Sequence, residues 1–214
     1  MRGGEFFPPP LQRRYNMKSG RRLIYIGILA LAAAVLLTVI LRPSEKAGSK
    51  APTLTIETPQ MLDSKTRDDI VLDVSVSGMG DALYPAASLS IRFDPSRLEF
   101  LGIGEGNVFV RDPVTGQNLP DWSCSVEQSN KTGLINIMYL DMTAGQHAFD
   151  KELLAPEDNV LLRLSFRLRG SVRAGDVLDL TVEDAVFAAS DETQSLATTK
   201  DTLQVKNSRI VIGG

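Results

Sequence analysis

The chain has 214 residues, 43% of them hydrophobic, which suffices for one domain of ordinary size plus an appendage and argues against two large globular domains. Its formal charge of -3 hides an asymmetry: up to Arg22 there are six basic residues against the single acid Glu5, whereas from Pro52 onward 14 Lys and Arg face 24 Asp and Glu. An acidic domain with no basic stripe interleaved with aromatics repels phosphate backbones, so nucleic acid is not the expected partner.

Residues 1–22 form a basic tail to which no structure is assigned; Met17 opens "MKSGRR", a more usual start for a signal anchor than the Gly- and Pro-rich segment before it. Leu23 to Leu41, "LIYIGILALAAAVLLTVIL", carries no charge. Its 19 residues at about 1.5 Å each reach roughly 28 Å, close to a bilayer core. This run is expected to be a transmembrane signal anchor. The basic excess before it places the N-terminus in the cytoplasm and the remainder outside, in the cell envelope. A cleaved signal peptide is the rival reading, with Ala47-Gly48-Ser49 as a weak cleavage site, but the run is long for a signal core and Arg42-Pro43 follows at once. Residues 42–52, "RPSEKAGSKAP", are polar and read as a linker of at most about 35 Å.

From Thr53 the dominant signal has period two. Leu72, Val74 and Val76 alternate with Asp73, Ser75 and Ser77; Leu89, Ile91 and Phe93 with Ser88, Ser90 and Arg92; Leu162, Leu164, Phe166 and Leu168 with Arg163, Ser165, Arg167 and Arg169. With "LTIET", "RLEFLGI", "LINIMYL", the run through Leu178, Leu180 and Val182, "TLQVK" and "RIVIGG", about nine strands are predicted. Ser88 to Ile103 reads as a hairpin reversed at Asp94-Pro95. No segment of helical period competes, although "HAFDKELLAPEDN" is compatible with a turn or two of helix. Half-polar strands in this number predict an all-β, two-sheet sandwich over residues 53–214.

Little in this segment supports catalysis. His147 is the only histidine and no nucleophile-elbow glycines frame a serine, so a loop histidine is expected there. The pairs Asp68-Asp69, Glu183-Asp184 and Asp191-Glu192 have the charge to attract calcium but not the alternating pattern of a calcium loop, and no metal or cofactor is expected. Cys124, the only cysteine, allows no internal disulfide and is expected to be a small, partly buried side chain beside Trp122. Asn130-Lys131-Thr132 matches a glycosylation sequon, a pattern frequent by chance.

Three stretches, in this order, resemble the bacterial cohesin domains: "SLSIRFDPSRLEFLGIGEG", "GLINIMYLDMTAG" and "NVLLRLSFRLRGSVRAGDVLDLTVEDAVFAASD". The resemblance covers nearly all of the chain beyond the linker. It implies a nine-stranded jelly roll that binds dockerins, small calcium-loaded helical modules, on one flat sheet face, with any calcium on the partner. Carried over by motif, the contacts fall on Ala86 and Ser88 before the Asp-Pro turn and on Met138, Leu140 and Asp141. Thr143 and Gly145 match one position more loosely. Well-known dockerin-binding members tend to present Asn and Asp where this chain has Ala86 and Ser88. Because "LINIMYL" is apolar on both faces, the opposite orientation, with Ile135, Ile137 and Tyr139 outward, stays open. The short linker keeps the domain near the membrane and points to an envelope partner. Two other readings stand beside this one. A carbohydrate-binding module would bind polysaccharide through exposed Tyr84, Trp122 and Tyr139, and an envelope-assembly subunit would pair with copies of itself.

Overall fold

The computed structural model describes residues 51–143, 146, 148–150, 152–154 and 159–214. The basic tail, the expected span Leu23 to Leu41 and most of the linker lie outside the described residues, as do Gly145 and His147. Among the described residues, no helix is long and apolar enough to cross a membrane.

Alternation becomes strands wherever the polar half of the pattern finds water and the apolar half finds a second sheet. Among the described residues thirteen strands result: β1 (Thr53–Ile56), β2 (Leu62–Asp63), β3 (Ile70–Ser77), β4 (Ala86–Arg92), β5 (Leu98–Glu105), β6 (Val110–Arg111), β7 (Asn118–Leu119), β8 (Leu134–Leu140), β9 (Asn159–Leu168), β10 (Val177–Ala188), β11 (Leu196–Ala197), β12 (Gln204–Lys206) and β13 (Ser208–Gly213). The nine with three or more residues are the nine predicted ones. One sheet runs β12-β1-β3-β9-β5 and the other β2-β13-β10-β4-β8, with β11 on β10; β6 and β7 form a separate small hairpin. Leu72, Val74, Leu162, Leu164 and Phe166 from the first sheet, and Leu89, Ile91, Ile137, Leu180 and Ile210 from the second, are at most 1% exposed and form one core.

The Asp94-Pro95 turn is not a hairpin. β4 pairs with β8 and β10 and β5 pairs with β9, so the turn carries the chain from one sheet to the other. Each strand buries its apolar alternates from its own side, and Phe93, just after β4, meets Phe100 of β5 and Phe166 of β9 at ring separations of 6.4 and 5.5 Å. Asp94 shapes the reversal: its carboxylate accepts from the Ser96 amide at 2.9 Å, and its carbonyl accepts from the Leu98 amide at 2.9 Å.

A second difference is a helix that periodicity did not announce, α1 (Val126–Thr132). Ser125 caps it by accepting from the Gln128 amide, and Gly133 ends it at φ 71°, where a Cβ would lie 2.8 Å from the Phe93 carbonyl oxygen. The helix closes the free side of β5. Asn130 Oδ1 accepts from the Phe100 amide at 2.9 Å and its Nδ2 donates to the Phe100 carbonyl at 2.7 Å, so one side-chain amide pairs with the strand as another strand would. The same nitrogen donates to Val126 O at 3.1 Å, so the sequon asparagine is engaged inside the domain. Asn130→Ala leaves the edge amide and carbonyl without these partners. It is expected to lower unfolding free energy by about 1–3 kcal/mol, read as a lower urea midpoint at unchanged slope.

Several carboxylates are tied to the frame rather than clustered. Hydrogen bonds from Ser96 to Asp94, from the Arg173 amide to Asp176, from Arg92 to Glu183 and from Thr193 to Asp191 all hold these groups below their ordinary values. A carboxylate with a depressed folded pKa stabilises fully above its unfolded pKa, and that stability is lost as pH falls through the folded value. The urea midpoint is therefore expected to fall below about pH 4. A midpoint that held or rose on going from neutral pH to about pH 3 would contradict the assignment.

Candidate functional site

The outer face of β8, β4 and β10 follows from register. Across β4 and β8, Ala86 faces Leu140, Ser88 faces Met138 and Ser90 faces Asn136; on the other side of β4, Ser88 faces Val186 and Ala86 faces Ala188. Since Ile135, Ile137 and Tyr139 are at most 4% exposed and line the core, the intervening residues must point out. Met138 is 56% and Leu140 62% exposed. The orientation that "LINIMYL" leaves open is thus decided in favour of Met138 and Leu140. β4 contributes small groups, Ala86, Ser88 and Ser90, so the face is low at its centre and raised along β8. Ser90 donates to Asn136 Oδ1 at 2.8 Å, and Arg92 pairs with Glu183 at the far end.

The loop after β8 is held in place. Asp141 donates its amide to Pro85 O at 2.7 Å, and its half-buried carboxylate accepts from the Thr143 amide at 2.8 Å and from the Thr143 hydroxyl. Asp141 and Thr143 therefore form one turn beside Leu140. Met142 between them is 82% exposed and enlarges the apolar surface; lying off the strand, it has no period to reveal its direction. Leu119, the last residue of β7, and the Pro120 and Asp121 that follow it form with Leu140 and Met142 the walls of a recess of ≈ 220 Å³ next to this surface.

Beneath it the aromatics are structural. Tyr84 and Tyr139 are 1% and 4% exposed; the Tyr84 hydroxyl donates to Met79 O at 2.6 Å and that of Tyr139 to Tyr84 O, and burial raises the pKa of both phenols. Trp122 is half-buried, with its ring 4.9 Å from Tyr139 and 5.8 Å from Phe149. These three side chains form no exposed row of the kind a polysaccharide chain needs, because the core has taken two of them. Cys124, like Trp122, packs partly buried against the core, and burial raises its thiol pKa. Among the acidic pairs, Asp69 binds Arg167, Glu183 binds Arg92, Asp184 accepts from the Thr198 hydroxyl and Asp191 caps a short 3₁₀ turn. Among the described residues, no three His, Cys, Asp or Glu side chains gather as metal ligands.

No family model matches the sequence, and no curated protein matches it. Solved structures do. The third cohesin of ScaC from Acetivibrio cellulolyticus, solved with the ScaB dockerin, superposes with a TM-score of 0.56 at 12% identity, covering 76% of this chain and 99% of that one. The OlpA cohesin of Clostridium thermocellum, solved with a dockerin, gives 0.55 at 18% identity over 76% and 99%. The seventh ScaB cohesin of Pseudobacteroides cellulosolvens gives 0.52 at 13% identity over 76% and 92%. At these identities the likeness shows the fold, and the sandwich formed by the described residues is that of the cohesin domains.

Proposed function

We propose that this protein is a membrane-anchored, extracytoplasmic binding module that docks a protein partner on the outer face of β8, β4 and β10, and that the partner is a dockerin-like module carrying any calcium the complex needs. The observation that carries the reading is the outward, solvent-exposed pair Met138 and Leu140 above a floor of small residues. Aliphatic and thioether groups left in water by a sheet with a complete core gain by being covered, and a methionine adapts to its cover. Asp141 and Thr143 supply a polar rim. Cohesins of this fold are solved in complex with dockerins, which supports the choice of partner. The uncharged run Leu23 to Leu41 behind a basic tail supports the anchor and the orientation.

Ala86 and Ser88 offer fewer hydrogen bonds than Asn and Asp would, so recognition here leans on apolar contact and on the turn at Asp141. The test is binding of purified dockerin modules to the immobilised full chain, with calcium and again with chelator. Calcium-dependent retention that Met138→Asp removes supports the reading. Absence of retention across a broad dockerin panel, or retention indifferent to Met138, defeats it.

A further inference from the structure

The turn between β6 and β7 presents Val114, the most exposed large apolar side chain among the described residues, with 90% of its surface in water. The turn is firmly held. Asp112 Oδ1 accepts from the Val114 amide at 2.8 Å, its Oδ2 from the Thr115 hydroxyl at 2.7 Å, and its carbonyl from the Gly116 amide at 2.8 Å. The Arg111 guanidinium lies against Gly116, with Nη2 3.7 Å from where a Cβ would stand. A side chain carried by so fixed a turn loses little freedom when it is covered. The tip therefore offers an apolar group and a cation close together, and among the described residues the exposed Arg111 enters no ion pair.

The recess of ≈ 220 Å³ beside Leu140 has the complementary properties. Leu119, Pro120, Leu140 and Met142 make its walls apolar, Asp121 adds an exposed carboxylate, and the lining contains no cation. Asp121, too, enters no ion pair among the described residues. Acidic groups are repelled there, and an apolar group with a cation beside it is attracted. Three carbon groups, at roughly the 30 Å³ share of one water each, occupy less than half of the space. Val114 does not enter the recess of its own chain, since it is 90% exposed, although Leu119 of the same hairpin is one wall. Because tip and recess adjoin, a two-fold axis between two copies brings each tip to the other's recess. We infer that this is a self-pairing surface: Val114 of one copy docks in the recess of a second copy, with reciprocal Arg111–Asp121 ion pairs fixing the register. The pairing covers Leu140 and Met142 and so excludes a partner from the docking face; only that exclusion rests on the function proposed above.

The full chain in detergent micelles is sedimented over a concentration range from about 1 µM to about 1 mM. The expected result is a monomer–dimer equilibrium with a dissociation constant on the order of 10–500 µM. Val114→Ser, Arg111→Glu and Asp121→Arg should each weaken it about tenfold, whereas Lys65→Glu, an exposed charge reversal after β2, leaves it unchanged. The decisive sample is an equimolar mixture of Arg111→Glu and Asp121→Arg chains. Each alone sets like charges against each other, but a mixed pair has opposite charges at both contacts, so association returns to within about threefold of wild type. A contact made inside one copy is not restored by mixing. The proposal is overturned by a mixture that associates no better than its components, or by association that all three variants leave intact, as pairing through Leu23 to Leu41 would be. A chain that stays monomeric to about 1 mM also overturns it, and if Asp121→Arg then abolishes dockerin retention, the recess belongs to that partner.

Discussion

Gly106→Ala is expected to destabilise the domain by about 3–5 kcal/mol, whereas Gly170→Ala, the same chemical change, should move stability by no more than about 0.5 kcal/mol. A Cβ on Gly106 would stand 1.9 Å from the Val160 carbonyl oxygen and 2.5 Å from the Leu161 carbonyl carbon. The backbone there has no room to yield: Val160 O accepts from the amides of Asn107 at 2.8 Å and Val108 at 3.2 Å, and the Val160 amide donates to Asn107 Oδ1 at 2.8 Å. Relieving the clash means breaking this cluster where β5 leaves β9. Gly170, in the turn after β9, has nothing within 4 Å of the added carbon. Paired urea titrations measure the contrast, and equal effects of the two substitutions would show that the backbone approach at Gly106 is looser than drawn.

Met138→Asp is expected to weaken partner binding by about 30- to 1,000-fold, equivalent to about 2–4 kcal/mol, while lowering folding stability by less than about 1 kcal/mol. The separation between the two effects follows from geometry. Met138 contributes nothing to the core, being 56% exposed and opposite Ser88, but it stands on the raised strand of the face with Leu140 at its side. A carboxylate there would have to be buried without a partner under any apolar cover. Titration of a retained dockerin against wild type and variant, with thermal unfolding of both, checks the pair of numbers. A variant that unfolds early would show that the side chain supports the sheet and would remove the case for a docking face.

Strand positions were legible because each sheet has one wet and one dry face, so Leu72 to Val76 and Leu162 to Leu168 advertise their burial one residue in two. The sheet to which each strand belongs was not. Asp94-Pro95 announces a reversal equally well whether the next strand lies alongside or across the core, and only the pairing of β5 with β9 distinguishes the two. The helix Val126–Thr132 is seven residues long and buries only Ser129, too little for an apolar stripe, although Ser125 with Gln128 and the closing Gly133 are capping signals that could have marked it. On the candidate face, Met138 and Leu140 could be placed only by motif, since both sides of "LINIMYL" are apolar. Met142 and the Leu119-Pro120-Asp121 wall could not be placed, because loops carry no period. Trp122 suggested an exposed aromatic; its ring instead packs on Tyr139 and Phe149.

The two parallel pairings, β1 with β12 and β2 with β13, join residues 53–63 to residues 204–213 and place one such closure in each sheet. During synthesis the chain emerges from its N-terminal end, so β1 and β2 wait for almost the whole domain before these partners exist. Until then neither sheet is complete, and the open chain is the form that proteases and chaperones meet. A chain cut before Gln204 would remain in that state, losing β12 from one sheet and β13 from the other together, so the last short strands act as the latch that ends the vulnerable period.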